Sequence, residues 1–294
     1  MQPTGAPPVR YEPFRGEDHP PRMPGARMAA IATAPLLGSR AIFPARFRRA
    51  VARLLQDSRA ASIPVEHAFH FFGRSLLVRV DPAVLERQIV DEVADGSRHV
   101  RLAHRFLDGG DWKALEKPFD QARAHREILQ LLKYPSVEDT PTYRNFVRLA
   151  EAGRPKLRNG IPLGSAIAVR HYLEQYRRLI DSVRSHGILP RHHVPSGERV
   201  FSLARTFRVE WWERDTGIAV DADGRLLRMV GGRHRTAIAQ VLGLPAMPVE
   251  IRMVHVRWLE KLTRETGLPA DRALLAWIAS PGFAATAGLP ASLP

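Results

Sequence analysis

The residues best suited to chemistry form one short run of glycines and cations, Gly231-Gly232-Arg233-His234-Arg235-Thr236. A strand-like stretch precedes this run and an apolar, helix-like stretch follows it. Two glycines allow a tight turn and the close approach of a ligand to the backbone. The start of the following helix presents unpaired N–H groups and the positive end of the helix dipole. We therefore expect a phosphate-binding turn at residues 231–236, here named the glycine turn.

Two side chains of the glycine turn are the expected phosphate contacts. Arg235 offers a planar fork of donors to phosphate oxygens, and His234 can donate to phosphate or move a proton. The alternative is that Arg235 pairs with a nearby carboxylate and His234 caps a loop. Arg233 either contacts the same ligand or is solvated. Thr236 either gives its hydroxyl to phosphate or Mg²⁺, or is an ordinary residue of a first helical turn.

Two aspartates lie upstream in a predicted hairpin turn, Asp221-Ala222-Asp223-Gly224. The Asp-Gly pair favours the positive φ angles of tight hairpins, and strands at 217–220 and 226–230 flank it. The two carboxylates can hold Mg²⁺ or accept a proton from a hydroxyl substrate. We therefore take Asp221, Asp223 and His234 as the candidate catalytic residues. The alternative is that the aspartates only shape the turn.

The elements expected to position these residues occupy the second half of the chain. A helix is expected from Ser165 to Gly187, with apolar residues on one face and Gly187 as its end. After the strand hairpin, the glycine turn opens a helix over Arg233–Leu242, and a strand follows over Pro248–Val254. This order predicts a small mixed sheet with helices.

The first half gives a less regular pattern. A stretch rich in Pro, Gly and charge predicts a disordered basic leader. Phe47–Leu55 predicts a basic amphipathic helix, either a docking helix or a membrane or nucleic-acid attachment. Ala68–Val80 indicates a strand or a hairpin turning at Gly73. Pro82, with Asp81 as cap, predicts the start of a helix whose apolar face reaches Val93.

Residues 98–152 are expected to continue as mostly helical pieces, and the Gly/Pro-rich stretch 153–164 to separate this half from the next. From Ser280 the chain is expected to be frayed. The predicted organisation is a disordered basic leader, a mostly helical region, a mixed-sheet domain, and a short helix with a frayed tail, at 1–45, 46–160, 161–260 and 261–294.

Composition limits the classes of chemistry. The chain has 294 residues and no cysteine, which excludes disulfides, thiolate metal sites and cysteine nucleophiles. No apolar run approaches the roughly 20 residues that span a bilayer, so we expect a soluble, cytoplasmic protein without a membrane span. The formal charge of +14 makes nucleic acid a conceivable but not favoured partner. The arginines are spread along the chain, without a block of like charges.

The remaining polar and aromatic pairs favour structural roles. His186 and His192-His193 lack a carboxylate pair that would complete a metal site, so no metal site is expected there. Trp211-Trp212 and Trp258 are expected to pack in the fold and not to stack on bases.

An ordered set of residues resembles the ParB/sulfiredoxin-like superfamily. It comprises Gly232-Arg233-His234-Arg235, Ala237, Ala239, Leu242-Gly243 and Pro248-Val249, preceded by Leu179-Ile180-Asp181-Ser182-Val183 with Gly187 and followed by His255-Val256-Arg257-Trp258. The resemblance covers about residues 165–258 and extends to uncharacterised ParB-like proteins often encoded with surface-polysaccharide genes. It implies an α+β fold and a nucleotide site for ATP or CTP, with Mg²⁺ as a candidate companion.

Three departures from the superfamily narrow its chemistry. Sulfiredoxin has a cysteine where this chain has Arg233, so sulfiredoxin chemistry is excluded. About 36 residues follow Trp258, which leaves little room for the helix-turn-helix and dimerisation tail of ParB proteins. Many small-molecule kinases of the superfamily have an acid at the position of Gly231. Because Gly231 has no carboxylate, either Asp221 or Asp223 supplies the acidic group, or the protein is not catalytic.

The sequence therefore predicts a protein that binds ATP or CTP and acts as a phosphotransferase or nucleotide hydrolase on a small molecule. The alternatives are a nucleotide-gated, DNA-associated ParB-like protein and a catalytically inactive binding or scaffold member. The sequence names neither the small-molecule substrate nor the oligomeric state.

Overall fold

The computed structural model describes residues 8–13, 24–95, 98–158, 161–190, 193 and 215–290. The predictions for His192 and for Trp211-Trp212 lie outside these residues. The described chain combines helices with mixed sheets, which confirms the predicted α+β class. No helix in the described ranges is both long enough and apolar enough to cross a membrane.

The helices form where apolar residues recur at helical spacing. Among the described residues, α1 to α10 span Pro24–Leu37, Phe43–Gln56, Val65–Phe72, Arg123–Lys133, Pro141–Glu151, Ala166–His186, Arg233–Val241, Val256–Thr266, Ala270–Ile278 and Pro281–Thr286. Helices α5, α6 and α10 begin at capping side chains, those of Thr140, Ser165 and Ser280. The longest, α6, is capped by the Ser165 side chain and ends at Gly187, where φ is 68°. The helix predicted over 165–187 is thereby confirmed.

The central element is a seven-stranded mixed sheet. In chain order, β1 to β12 span Glu12–Pro13, Leu77–Val80, Arg87–Ile89, Glu92–Asp95, Arg98–Arg101, Leu107–Asp108, Glu116–Pro118, Leu157–Arg158, Ile161–Pro162, Thr216–Val220, Leu226–Arg228 and Met247–His255. The sheet order is β2-β12-β10-β11-β3-β7, with β6 also paired to β12. Strand β10 is parallel to β12 and antiparallel to β11, so the predicted hairpin and the strand after the glycine turn are confirmed.

Both faces of this sheet are buried. Side chains alternate along each strand, so neighbouring residues join cores on opposite faces. Ile218 and Val220 of β10 join the larger core, which includes the stacked phenylalanines Phe43 and Phe47 of α2. Ala219, between them, joins a smaller core on the opposite face. The burial of α2 confirms that the predicted basic amphipathic helix is a docking helix.

The first half of the chain differs from its prediction. Residues 24–37 of the predicted disordered leader form helix α1, and Tyr11 is 2% exposed. The predicted strand over Ala68–Val80 begins instead as helix α3 and becomes a strand only at Leu77. A run in which nearly every residue is apolar fits both the 3.6-residue period of a helix and the two-residue period of a strand. The pattern therefore could not distinguish the two.

The region predicted to be mostly helical contributes four strands, β2, β3, β6 and β7, to the central sheet. Asp81 caps the turn at Pro82 as predicted, but that turn is a single 3₁₀ turn followed by β3 and β4. The strands are short, and their tertiary pairing overrides the helical spacing of their apolar residues. Strands from both sides of the predicted boundary at 153–164 pair in this sheet.

The end of the chain is also more ordered than predicted. Helices α9 and α10 follow α8, and Phe283 of α10 is buried against Trp277. Trp258 packs edge-on against Trp277, with ring centroids 4.5 Å apart, which confirms its structural role.

Candidate anion site at the glycine turn

Two successive glycines in left-handed conformation connect β11 to α7. Gly231 has a φ of 72° and Gly232 a φ of 57°. Gly232 is the N-cap of α7, so no side chain caps this helix end. The first helical bond runs from Thr236 N to Gly232 O at 2.9 Å, which leaves the N–H groups of residues 233–235 without intrahelical acceptors. This geometry presents backbone donors to an anion.

Arg228, at the end of β11, lies directly behind the glycine turn and is 1% exposed. Its guanidinium donates to the carbonyl oxygen of Gly231 and, at 3.4 Å, to Oε1 of Gln88. Its Nε atom has no hydrogen-bond partner, and within the described residues no carboxylate pairs with it. A buried guanidinium without a carboxylate is costly, so its presence beside an open helix N-terminus points to an anionic ligand.

Two further arginines belong to this region, since the charge of Arg252 acts on both Arg228 and Arg235. Nη1 of Arg235 lies 3.8 Å from Oδ1 of Asp215. Arg252 donates from Nε to Glu250 at 3.2 Å and from Nη2 to the Asp215 carbonyl at 3.0 Å. These three arginines, Arg228, Arg235 and Arg252, are named the arginine cluster.

The electrostatic cost of the cluster appears in its pKa values. Desolvation by burial, with the nearby charges of Arg233 and Arg252, lowers the pKa of Arg228 to about 9. Desolvation also lowers the pKa of Arg235 and of Arg252, although Asp215 and Glu250 oppose this effect. A bound anion would offset the free-energy cost of burying these cations.

His234 meets a carboxylate from the first half of the chain. Its Nε2 atom lies 3.1 Å from Oε2 of Glu127, which is on α4 and 3% exposed. The imidazole ring also packs on the ring of Tyr176 of α6, with centroids 3.9 Å apart. The contacts with α4 and α6 therefore fix the ring, and the side chain retains 21% exposure.

Glu127 is surrounded by cations. Its Oε1 atom lies 3.3 Å from Nε of Arg123 and 3.6 Å from Nη2 of Arg158. Arg158 is itself 10% exposed and lies over the ring of Phe146. Oε1 lies at ion-pair distance from these arginines but has no hydrogen bond. The carboxylate is thus held at the start of α7.

The remaining residues of the glycine turn have distinct positions. Arg233 is exposed at the start of α7. Thr236 is 0% exposed, and its hydroxyl donates to the Gly232 carbonyl at 3.1 Å. The Thr236 hydroxyl is therefore engaged in a local helix contact, as expected for an ordinary residue of a first helical turn. Arg235 pairs with Asp215, as the structural alternative stated, whereas His234 pairs with Glu127 and not with a loop.

The predicted catalytic aspartates do not lie at the glycine turn. Oδ1 of Asp221 accepts from the N–H groups of Asp223 and Arg225, and Oδ2 accepts from Nε of Arg225 at 2.7 Å. Asp223 is exposed. The length of β10 separates this hairpin from the glycine turn by about 13 Å. The structure thus assigns Asp221 to shaping the hairpin, and the predicted grouping of Asp221 and Asp223 with His234 is corrected.

Sequence reasoning missed Glu127, Arg228 and Arg252. Arg228 occurs at a buried position and Arg252 at a partly buried one, each in an apolar strand where arginine is rare, and this was the signal available. Glu127 lies 107 residues before His234 and gave no such signal. Among the described residues no group of three His, Asp or Glu side chains could hold a metal ion. His186 is exposed, with Nδ1 3.1 Å from the Ser182 carbonyl oxygen.

We compared the chain with protein-family models, curated proteins and solved structures. No protein-family model matches the chain, and neither the curated proteins nor the solved structures include a match.

Proposed function

We propose that this protein binds the phosphates of ATP or CTP at the glycine turn and catalyses transfer of the terminal phosphoryl group to a small molecule or to water. The observation that carries the proposal is the buried guanidinium of Arg228, which pairs with no carboxylate among the described residues and lies behind an uncapped helix N-terminus. Both features favour an anion, and they converge on the two glycines.

The arrangement suits phosphate better than a single carboxylate ligand. Backbone N–H groups at the start of α7 offer several parallel donors, and Arg235 adds a planar fork beside them. Gly231 and Gly232 carry no side chain that would block a bulky ligand. Exposed Arg233 lies where it can contact a second phosphate of a nucleotide.

The carboxylates at this turn do not form a metal site. Asp215 is 7% exposed and lies beside Arg235, and Glu250 lies beside Arg252. In the proposal, Mg²⁺ therefore arrives bound to the nucleotide phosphates, and the arginine cluster neutralises the charge that remains. Mg²⁺ bound to phosphate would stabilise charge on the leaving oxygen.

A second candidate is nucleotide binding without catalysis. The observation that favours it is the position of Asp221, whose oxygens are both engaged in the hairpin far from the turn. Release of inorganic phosphate from bound ATP or CTP distinguishes the two candidates, because a binding member retains the intact triphosphate.

The proposal is tested by isothermal titration with ATP and with CTP, each with and without Mg²⁺. The wild-type protein and Arg235→Ala are compared with Arg257→Ala, which removes an exposed arginine at the start of α8, beyond the carboxyl end of β12. We expect Arg235→Ala to bind 10- to 100-fold more weakly, since a charge-assisted hydrogen bond contributes about 1.5–3 kcal/mol. Arg257→Ala should match wild type. Equal affinities for wild type and Arg235→Ala, or no binding at all, would overturn the proposal.

A further inference from the structure

We infer that Glu127 positions His234 to accept a proton from the hydroxyl or water that attacks the terminal phosphate. This inference rests on the proposed function, because it requires a nucleotide phosphate at the glycine turn. It assigns a role to a buried carboxylate that lies far from the turn in sequence. It also replaces the acid that the superfamily resemblance placed at the position of Gly231.

The contact between Glu127 and His234 determines which ring nitrogen can accept a proton. A carboxylate accepts hydrogen bonds and donates none, so Nε2 of His234 carries the proton that is donated to Oε2 across 3.1 Å. In a neutral imidazole the lone pair then belongs to Nδ1. Nδ1 has no partner among the described residues. Glu127 thus selects the tautomer in which Nδ1 carries the lone pair.

The surroundings hold this pair in place. Arg123 and Arg158 lie at ion-pair distance from the other oxygen of Glu127, and the ring of Tyr176 packs on the imidazole. A carboxylate that orients a histidine, itself oriented by further groups, is the arrangement used by general bases in acyl and phosphoryl transfer. His234 is also the second residue of α7, next to the backbone donors expected to bind phosphate.

The proposed reaction balances without a further reactant. Nδ1 of His234 takes the proton from the attacking O–H group, and the oxygen forms a bond to the terminal phosphorus. The bond between that phosphorus and the bridging oxygen breaks, and its electron pair leaves with the nucleoside diphosphate. The imidazolium then returns the proton to the diphosphate or to solvent. His234 is the catalytic residue in this scheme, and Glu127 is a positioning residue.

The test measures phosphate release from ATP and CTP with water as the nucleophile, alongside nucleotide affinity by titration. We compare wild type, Glu127→Gln, Glu127→Asp, His234→Ala and the control Arg257→Ala. Loss of a general base lowers turnover by about 10²–10⁴-fold. We expect this loss in His234→Ala, with imidazole in the buffer restoring part of it. Glu127→Gln should lower turnover at least tenfold while its nucleotide Kd stays within threefold of wild type, and Glu127→Asp should retain intermediate turnover.

The outcomes separate this inference from the proposed function. Absence of nucleotide binding in wild type overturns the proposed function, and the inference with it. Binding by wild type without phosphate release overturns the inference and favours the second candidate function, nucleotide binding without catalysis. Turnover of Glu127→Gln equal to wild type, or no rescue of His234→Ala by imidazole, also overturns it. If Glu127→Gln melts below the assay temperature, the imidazole rescue of His234→Ala and the intermediate turnover of Glu127→Asp decide the question.

Discussion

Gly232 lies directly on Thr216, so that a Cβ atom built on the glycine would be 1.9 Å from Oγ1 of the threonine. Thr216 is 1% exposed at the start of β10 and cannot move into solvent. The close approach joins the N-terminus of α7 to the central sheet. Position 232 therefore requires glycine for two reasons, the close packing on Thr216 and the left-handed backbone conformation.

The first prediction concerns the two glycines of the turn. Gly232→Ala combines an unfavourable positive φ with the overlap on Thr216, so we expect it to lower the free energy of unfolding by about 3 kcal/mol. Gly231→Ala shares the positive φ, but its nearest neighbour would be 3.7 Å away, so we expect a loss of about 1 kcal/mol. Urea denaturation of both variants measures the difference. Equal losses would contradict the packing argument.

The second prediction is that Arg228 lowers the stability of the fold and strengthens anion binding. Its folded-state pKa of about 9 is below the ordinary arginine value, so the fold disfavours the cation at pH 7, and this cost is relieved as pH rises above 9. We expect Arg228→Met to raise the free energy of unfolding by about 1–2 kcal/mol and to weaken ATP binding at least tenfold. Denaturation with and without nucleotide measures both effects. A variant that is less stable and binds ATP normally would show that Arg228 is only structural.

The third prediction concerns pH. Protonated Arg228 attracts phosphate, and the cation is lost as pH rises through about 9. We therefore expect nucleotide affinity to fall by about tenfold between pH 8 and pH 10, a range in which the nucleotide phosphates are already fully ionised. The matched control is Arg228→Met, whose weaker affinity should stay level over the same range. A level profile in the wild-type protein would contradict either the lowered pKa of Arg228 or its place in the phosphate site.

The fourth prediction separates the aspartate hairpin from the glycine turn. Asp221→Ala removes three hydrogen bonds within the hairpin, so we expect it to lower the free energy of unfolding by about 2 kcal/mol. Its affinity for ATP and CTP should stay within twofold of wild type, because about 13 Å separates the hairpin from the turn. Titration calorimetry of the folded variant gives the result. Loss of nucleotide binding without loss of stability would return Asp221 to the site.

The elements around the glycine turn were predictable because their signals are local. Ser165 and Gly187 mark the two ends of α6, and the Asp-Gly pair marks the hairpin between β10 and β11. The two glycines at 231 and 232 suggested a turn, and both adopt positive φ angles. Each of these features depends on residues within a few positions of one another, so a single sequence was sufficient.

The parts that could not be predicted depend on contacts between distant residues. β12 pairs with β2, and β11 pairs with β3, across more than a hundred residues, so the first half of the chain completes the sheet. Glu127 reaches His234 only because α4 packs against α7. Asp221 was misassigned because a carboxylate in a turn has the same local pattern whether it binds a ligand or its own backbone.

The position of bound nucleotide phosphates is the most direct test of the arginine cluster and the glycine turn as an anion site. A crystal structure with a non-hydrolysable ATP or CTP analogue should place a phosphate within about 3.2 Å of the backbone N–H groups of Arg233 and His234 and of the Arg235 guanidinium. A nucleotide bound elsewhere would contradict this assignment. One such place is the cavity of about 470 Å³ beside Pro82 and Gly243, at the other end of α7.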